Sequence, residues 1–182
     1  MWYRRASLTG GTYFFTLVTE SRRPLFKEPT SVALFLEAIE KIRSRHPFEM
    51  DAYVVLPDHL HTLWTLPEGD ANFSTRWRLI KEAFTRAYLK THPAPDRSES
   101  RRSKGEHSIW QRRFWEHVIR DEADFISHLN YIRLNPVHHG LARAPHDWPH
   151  SSFRAWVERG AYDITWGSDA LPELPEWAKR HE

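Results

Sequence analysis

The sequence predicts an α+β fold, an antiparallel sheet with helices packed on one face, and three observations carry that reading. Short aromatic and β-branched runs alternate with longer segments of helical periodicity. Their order is strand, helix, strand, strand, helix, strand and a further helix, which is the order of a split βαβ unit rather than of a doubly wound sheet. A chain of 182 residues, 40% of them hydrophobic, is long enough to bury the core of one such domain.

Each element has its own local cause. YFFTLVTE, residues 13–20, is short, aromatic and β-branched, and reads as the first strand. Residues 31–45 place Val32, Phe35, Leu36, Ile39 and Ile42 at helical spacing, with Thr30 or Ser31 as cap and His46-Pro47 as stop. FEMDAYVVLPDHLHTLWTLP holds two apolar runs, 48–56 and 59–66, which meet at Pro57-Asp58 as two strands joined by a tight turn. A second long helix is expected over 74–90, with Trp77, Ile80, Phe84 and Tyr88 on one side. Residues 93–107 have almost no apolar side chains and read as an exposed polar loop inserted in the domain. Residues 108–121 turn strand-like in their second half. Residues 121–135 form a further helix that Pro136 ends, with Asp121 and Glu122 favourable in its first turn. A short helix is expected near 152–158. The domain is therefore drawn at 1–158, with a carboxy-terminal extension at 159–182.

Composition narrows the function classes. Zero cysteines remove disulfides, thiolate nucleophiles and thiolate metal ligands together, so a transition-metal site must use nitrogen and oxygen donors. No apolar run approaches the roughly 20 residues of a bilayer span, and MWYRRASLTGG lacks the apolar stretch of a signal peptide. The expectation is a cytoplasmic bacterial protein without a membrane partner. Net charge is only +2, but its distribution is uneven. Residues 97–120 carry seven Arg and Lys against three acids, whereas 163–182 carry five acids and two bases. Such a field can attract phosphate backbones, although basic residues also simply solvate a surface.

The densest chemical cue is PDHLHTLW. On an extended strand residues two apart face the same way, so His59 and His61 present two imidazoles together while Leu60 points oppositely. Two neutral imidazoles suit a divalent metal, and a third ligand is needed. In NYIRLNP, Tyr131 and Asn135 are four apart on one helical face, so an amide oxygen could complete a site beneath a phenol able to attack phosphorus. On pattern alone, core closure by Tyr131 and helix capping by Asn135 account for the same two residues better.

Taken together these elements resemble the single-tyrosine HUH nucleases, and within them the REP-associated tyrosine transposases related to IS200/IS605-type transposases. The resemblance is carried by His59-Leu60-His61 within VVLPDHLH and by Tyr131-Ile132-Arg133-Leu134-Asn135-Pro136, the YIxxNP element. TYFFTLVTESRRPLF, IWQRRFWEHVIRDEADF and NPVHHGLARAPHDWPHSSF extend it over about residues 8–157. The resemblance implies a ferredoxin-like core and a DNA-binding endonuclease and strand transferase, acting in DNA transposition and recombination. Its implied substrate is single-stranded DNA with palindromic repeat hairpins. Tyr131 would be the nucleophile of a 5′-phosphotyrosine intermediate, and His59, His61 and Asn135 the ligands of Mg²⁺ or Mn²⁺.

Candidate DNA contacts are Arg101, Arg102, Arg112, Arg113, Arg120 and Arg133 for phosphates, and Trp110 and Trp115 for stacking on bases. Core packing competes for both tryptophans, and solvation of a helix face for Arg133. Two other functions use the same residues. One is a catalytically inactive hairpin-DNA-binding or repressor protein. The other is a metal phosphodiesterase that activates water and leaves Tyr131 incidental.

Overall fold

The computed structural model describes residues 8–168 together with 175, 177 and 178. Much of the 159–182 extension therefore lies outside the described residues, and so do residues 1–7. The described elements are β1 (Thr12–Val18), α1 (Pro29–Arg43), β2 (Glu49–Val55), β3 (His59–Thr65), α2 (Phe73–Tyr88), α3 (Glu99–Arg102), β4 (Trp115–Val118), α4 (Glu122–His138) and α5 (Phe153–Glu158). The strands form one antiparallel sheet in the order β2-β3-β1-β4. The α+β class and the antiparallel sheet are as the pattern predicts.

The placement of the helices needs a correction. α1 and α2 share one face, where Tyr13, Phe15, Leu17, Leu60 and Trp64 meet Phe35, Ile39, Trp77, Ile80 and Phe84. α4 does not join them. It covers the opposite face, where Phe14, Ala52, Val54 and Leu63 meet Leu129, Tyr131 and Ile132. Because the central strands are apolar or imidazole-bearing on both faces, neither face can be left in water. Residues beyond 158 add to this fold, since Tyr162 and Trp166 pack on Phe153 and Ala178 is buried.

Element ends differ from the pattern for local reasons. α1 starts at Pro29, whose fixed φ suits a first helical turn, so Thr30 and Ser31 lie inside the helix rather than capping it. Asn72 caps α2, its side chain accepting from the Thr75 N–H at 3.2 Å. The polar 93–107 loop contains the short α3, which buries Arg101. α4 runs through Pro136 to His138 instead of stopping before it. The helix ends one turn later. Gly140, at φ 66°, allows its own N–H to reach Val137 O at 2.9 Å and the Leu141 N–H to reach Pro136 O at 2.8 Å.

β2 serves both faces through a bulge. Met50 pairs with Trp64 and Ala52 with Leu63, which leaves Asp51 as the extra residue, so that Met50 lies on the α1/α2 face while Ala52 and Val54 lie on the α4 face. Trp64, 0% exposed, lies 4.0 Å from the rings of both Phe48 and Trp77. Trp64→Ala should cost about 3–5 kcal/mol through lost burial and the cavity left behind. A urea unfolding series compared with wild type would read this as a lower midpoint at an unchanged slope.

Candidate active site

Strand parity and helix periodicity build the site from opposite sides. On β3, His59, His61 and Leu63 point toward α4, while Leu60 and Trp64 enter the other core. On α4, Asp124, His128, Tyr131 and Asn135 recur at spacings of four, three and four, so one face of the helix is a polar stripe. The stripe faces the sheet. Pairing of Thr16 with His61 and of Phe14 with His117 brings β1 and β4 under the same helix.

The two imidazoles of β3 share a side as expected, with ring centroids 5.0 Å apart. Tyr131 meets them, its hydroxyl 3.5 Å from His61 Nε2. His61 Nδ1 pairs with Thr16 Oγ1 at 2.9 Å, and His59 Nδ1 with Asp58 Oδ1 at 2.6 Å. His139, one turn beyond Asn135, brings its ring to 5.1 Å from that of His59. Exposures are 4% for His59, 1% for His61, 3% for Tyr131 and 0% for Asn135. His59 Nε2 and both amide atoms of Asn135 are buried without a hydrogen-bond partner among the described residues. Orphaned polar atoms of this kind are costly, and an imidazole nitrogen and an amide oxygen are suitable ligands for a divalent cation.

Burial keeps the His61 imidazole neutral. Burial, assisted by the neighbouring His59, His139 and Arg22, holds His61 well below the ordinary histidine range. A neutral ring is the form that binds a metal or accepts a proton.

A second polar cluster lies farther up α4. His117 Nε2 is 2.9 Å from Asp124 Oδ2, and His128 Nδ1 is 3.2 Å from Asp124 Oδ1. Ligand atoms of these three residues all lie within 4.8 Å of one another, so this buried set could coordinate a divalent metal. The two rings are stacked at 4.7 Å and 13°, and one of them must turn before both lone pairs can meet a single ion. Burial raises Asp124, but hydrogen bonds from Arg120 and His117 more than offset it and hold the carboxyl far below its usual range. Burial lowers His128 to about 4. Trp177 stacks on His128 at 4.0 Å and lies 5.0 Å from the Tyr131 ring.

Three of the residues expected to contact DNA are buried and engaged within the fold. Arg101 is paired with Glu20 and Glu106 and is 7% exposed. Trp110 packs among Phe26, Phe35 and Phe84 in the α1/α2 core. Arg133 lies 3.7 Å from the Tyr162 ring and 5.0 Å from that of Trp156, where aromatic faces take the place of phosphate. Arg102, Arg112, Arg113 and Arg120 are exposed. Arg112 and Arg120 are already engaged, with Glu106 and Asp124 respectively. Trp115 is half-buried on the α4 face, 5.5 Å from the Phe14 ring. A cavity of about 740 Å³ lies between α2 and residues 101–112, and Tyr131 does not line it.

The sequence reading overlooked Thr16, Asp58 and the His117–Asp124–His128 cluster. Asp58 carried a signal, an acid directly before the histidine pair. The others carried little, because each is polar alone and becomes part of a site only through strand pairing.

Comparison with known proteins agrees with this geometry. A family model described as "Transposase IS200 like" matches residues 7–135. The chain belongs to the IS200-like transposase family. Within it, the chain is 44% identical over 167 residues to the REP-associated tyrosine transposase of Escherichia coli K12, covering 92% of this chain and 91% of that protein. A Haemophilus influenzae relative of the same kind is 41% identical over 172 residues, covering 94% of this chain and 95% of the relative. A solved REP-associated tyrosine transposase bound to a REP hairpin superposes with a TM-score of 0.78 at 42% identity, covering 97% of each chain. The chain is thus an enzyme of the tyrosine-nucleophile class, a metal-dependent nuclease and transesterase of single-stranded DNA. No helix among the described residues is long and apolar enough to cross a membrane.

The lowered histidines have a measurable consequence. Unfolded His128 takes up a proton near pH 6.5 but the folded ring does so only near 4, so its contribution to stability is complete above 6.5 and is lost as pH falls toward 4. Stability by chemical denaturation should decline across that window. His128→Gln should flatten the decline, leaving the part due to His61.

Proposed function

We propose that Tyr131 is the nucleophile that cleaves single-stranded DNA, and that His59, His61 and Asn135 hold the divalent cation, Mg²⁺ or Mn²⁺. The observation that carries this reading is the meeting of the Tyr131 hydroxyl with His61, on a helix and a strand that also carry the buried, partnerless Asn135 amide and His59 Nε2. When bound, the cation withdraws charge from the oxygens of the scissile phosphate. The rest falls to the chain. The Tyr131 oxygen forms a bond to phosphorus, the bond from phosphorus to the 3′ oxygen breaks, and that oxygen takes a proton to leave as a 3′-hydroxyl. The phosphoester is kept on the tyrosine, so a second 3′-hydroxyl can reverse the step without an external energy source. A neutral His61 keeps a lone pair on Nε2 for the cation beside the phenol, whose own proton passes to solvent as the bond to phosphorus forms.

The hairpin-bound relative supports a palindromic repeat hairpin as the partner. The exposed Arg102, Arg112, Arg113 and Arg120 are the remaining phosphate candidates, with Trp115 for a base. Residues 1–158 form the nuclease unit in this reading, and the 159–182 extension covers Tyr131 through Trp177. The bacterial relatives support a bacterial setting, and a cytoplasmic one is part of the same proposal.

Tyr131→Phe removes one hydroxyl and keeps the ring that packs on Phe14. The variant should fold, bind a single-stranded hairpin and form no covalent product with Mn²⁺ present. A denaturing gel, with mass spectrometry of the digested adduct, reads this directly. Normal cleavage without an adduct in either protein would instead favour metal-activated water. His61→Ala should weaken cleavage far more than binding, because phosphate contacts survive the loss of one ligand. Arg113→Ala should lower affinity for DNA of any sequence and reduce the slope of log K against log salt by about 0.7, one released counterion on a single strand. An unchanged slope would take Arg113 off the DNA path.

A further inference from the structure

We propose that Asp58 is a positioning residue that fixes His59 as a metal ligand, and that Arg22 holds Asp58 for that task. The inference rests on the reading of His59, His61 and Asn135 as the metal-holding set. The two oxygens of Asp58 go to different partners, Oδ1 to His59 Nδ1 at 2.6 Å and Oδ2 to Arg22 at 3.2 Å. A carboxylate held at both oxygens cannot rotate without losing one of them. Facing a carboxylate oxygen, His59 Nδ1 must carry a ring proton, so the lone pair offered to a metal is that of Nε2, the atom buried without a partner.

The backbone is anchored as firmly as the side chain. The Asp58 carbonyl accepts from both the Thr19 N–H and the Thr19 hydroxyl, each at 2.9 Å. Three residues later the chain bends sharply to deliver Arg22. Ser21 and Arg22, at φ 55° and 48°, are the two non-glycine residues in the left-handed region among those described. That conformation is unfavourable for L side chains and persists where surrounding structure requires it. Here it turns the Arg22 guanidinium back over Asp58. An ordinary surface ion pair would need no such turn.

His61 is held differently. Its Nδ1 meets the neutral Thr16 hydroxyl at 2.9 Å, with no carboxylate in that role. A charged outer partner makes an imidazole a stronger donor than a neutral one does. His59 is therefore the firm ligand of the pair, and His61, 3.5 Å from the Tyr131 hydroxyl, is the one shared with the reacting phenol.

The test is titration of the metal-free protein with Co²⁺ and Mn²⁺, reading Kd by calorimetry and the Co²⁺ visible band. The component that His61→Ala removes defines the site. Asp58→Asn should weaken that component about 10–100-fold and shift its band, while leaving the metal-free thermal midpoint near wild type. Asp58→Glu should recover part of the affinity, and Thr16→Val should lose less than Asp58→Asn. Excess Mn²⁺ should restore cleavage to Asp58→Asn, which no simple loss of folding would permit. Wild-type affinity and band in Asp58→Asn, with His61→Ala still abolishing both, would overturn the positioning role alone. Should Asp58→Asn fail to fold, Asp58→Glu and Arg22→Ala carry the test, and wild-type Kd in both overturns it. If His61→Ala changes nothing, the metal-holding set itself falls, and this inference with it.

Discussion

The alternation of side chains along β3 is the constraint on which the rest of the molecule depends. Seven residues, His59–Thr65, lie between β1 and β2 and pair with both. Their odd and even positions serve different ends. Leu60 and Trp64 enter the α1/α2 core, while His59, His61 and Leu63 meet α4. A slip of one residue would bury two imidazoles among leucines and aromatics and turn Trp64 against the polar stripe of α4. Pairing on both sides resists that slip. The bulge at Asp51 follows from the same demand, because β2 must supply an apolar residue opposite Trp64 and another opposite Leu63.

Two polar constellations on the α4 face share one construction. Asp58 is gripped by His59 and Arg22, and Asp124 by His117 and Arg120. In each, a carboxylate stays ionised in a partly desolvated place because two donors share its charge, and its histidine is thereby oriented. The difference lies in what the histidine faces. The His59 ring meets the His61 ring edge to face and leaves Nε2 buried without a partner, whereas the His117 ring stacks on that of His128. Such groups cost stability when taken singly and are tolerable only as satisfied networks. α4 accordingly depends for its packing on Leu129, Tyr131 and Ile132, with polar groups between them that do chemistry or hold the groups that do.

Much of this was legible beforehand because the signals are local. Period-two and period-3.6 patterns mark β1, β3, α1, α2 and α4 to within a few residues, and the His-X-His spacing puts two imidazoles on one side whatever the sheet does with them. The i,i+4 relation of Tyr131 and Asn135 is equally local. Misjudged ends came from weighing one residue alone. Pro136 lacks only its own N–H, and a helix in its last turn, closed by Gly140, can do without one such bond.

The sequence by itself determined the element order, the α+β class, and which residue types stand at which spacing in the two motifs. It could not say which face of the sheet α4 would cover, since an amphipathic stripe fits any complementary surface. Nor could it tell a free arginine from a buried one. Arg101, Trp110 and Arg133 look like DNA contacts in a basic, aromatic sequence, yet a glutamate from residue 20, a cluster of phenylalanines and two distant aromatic rings claim them. Those partners are remote in the chain, and only folding makes them neighbours. The active site has the same origin: β3 and α4 are more than fifty residues apart in sequence, and the 3.5 Å between His61 and Tyr131 exists because two cores, one on each side of the sheet, press helix and strand together.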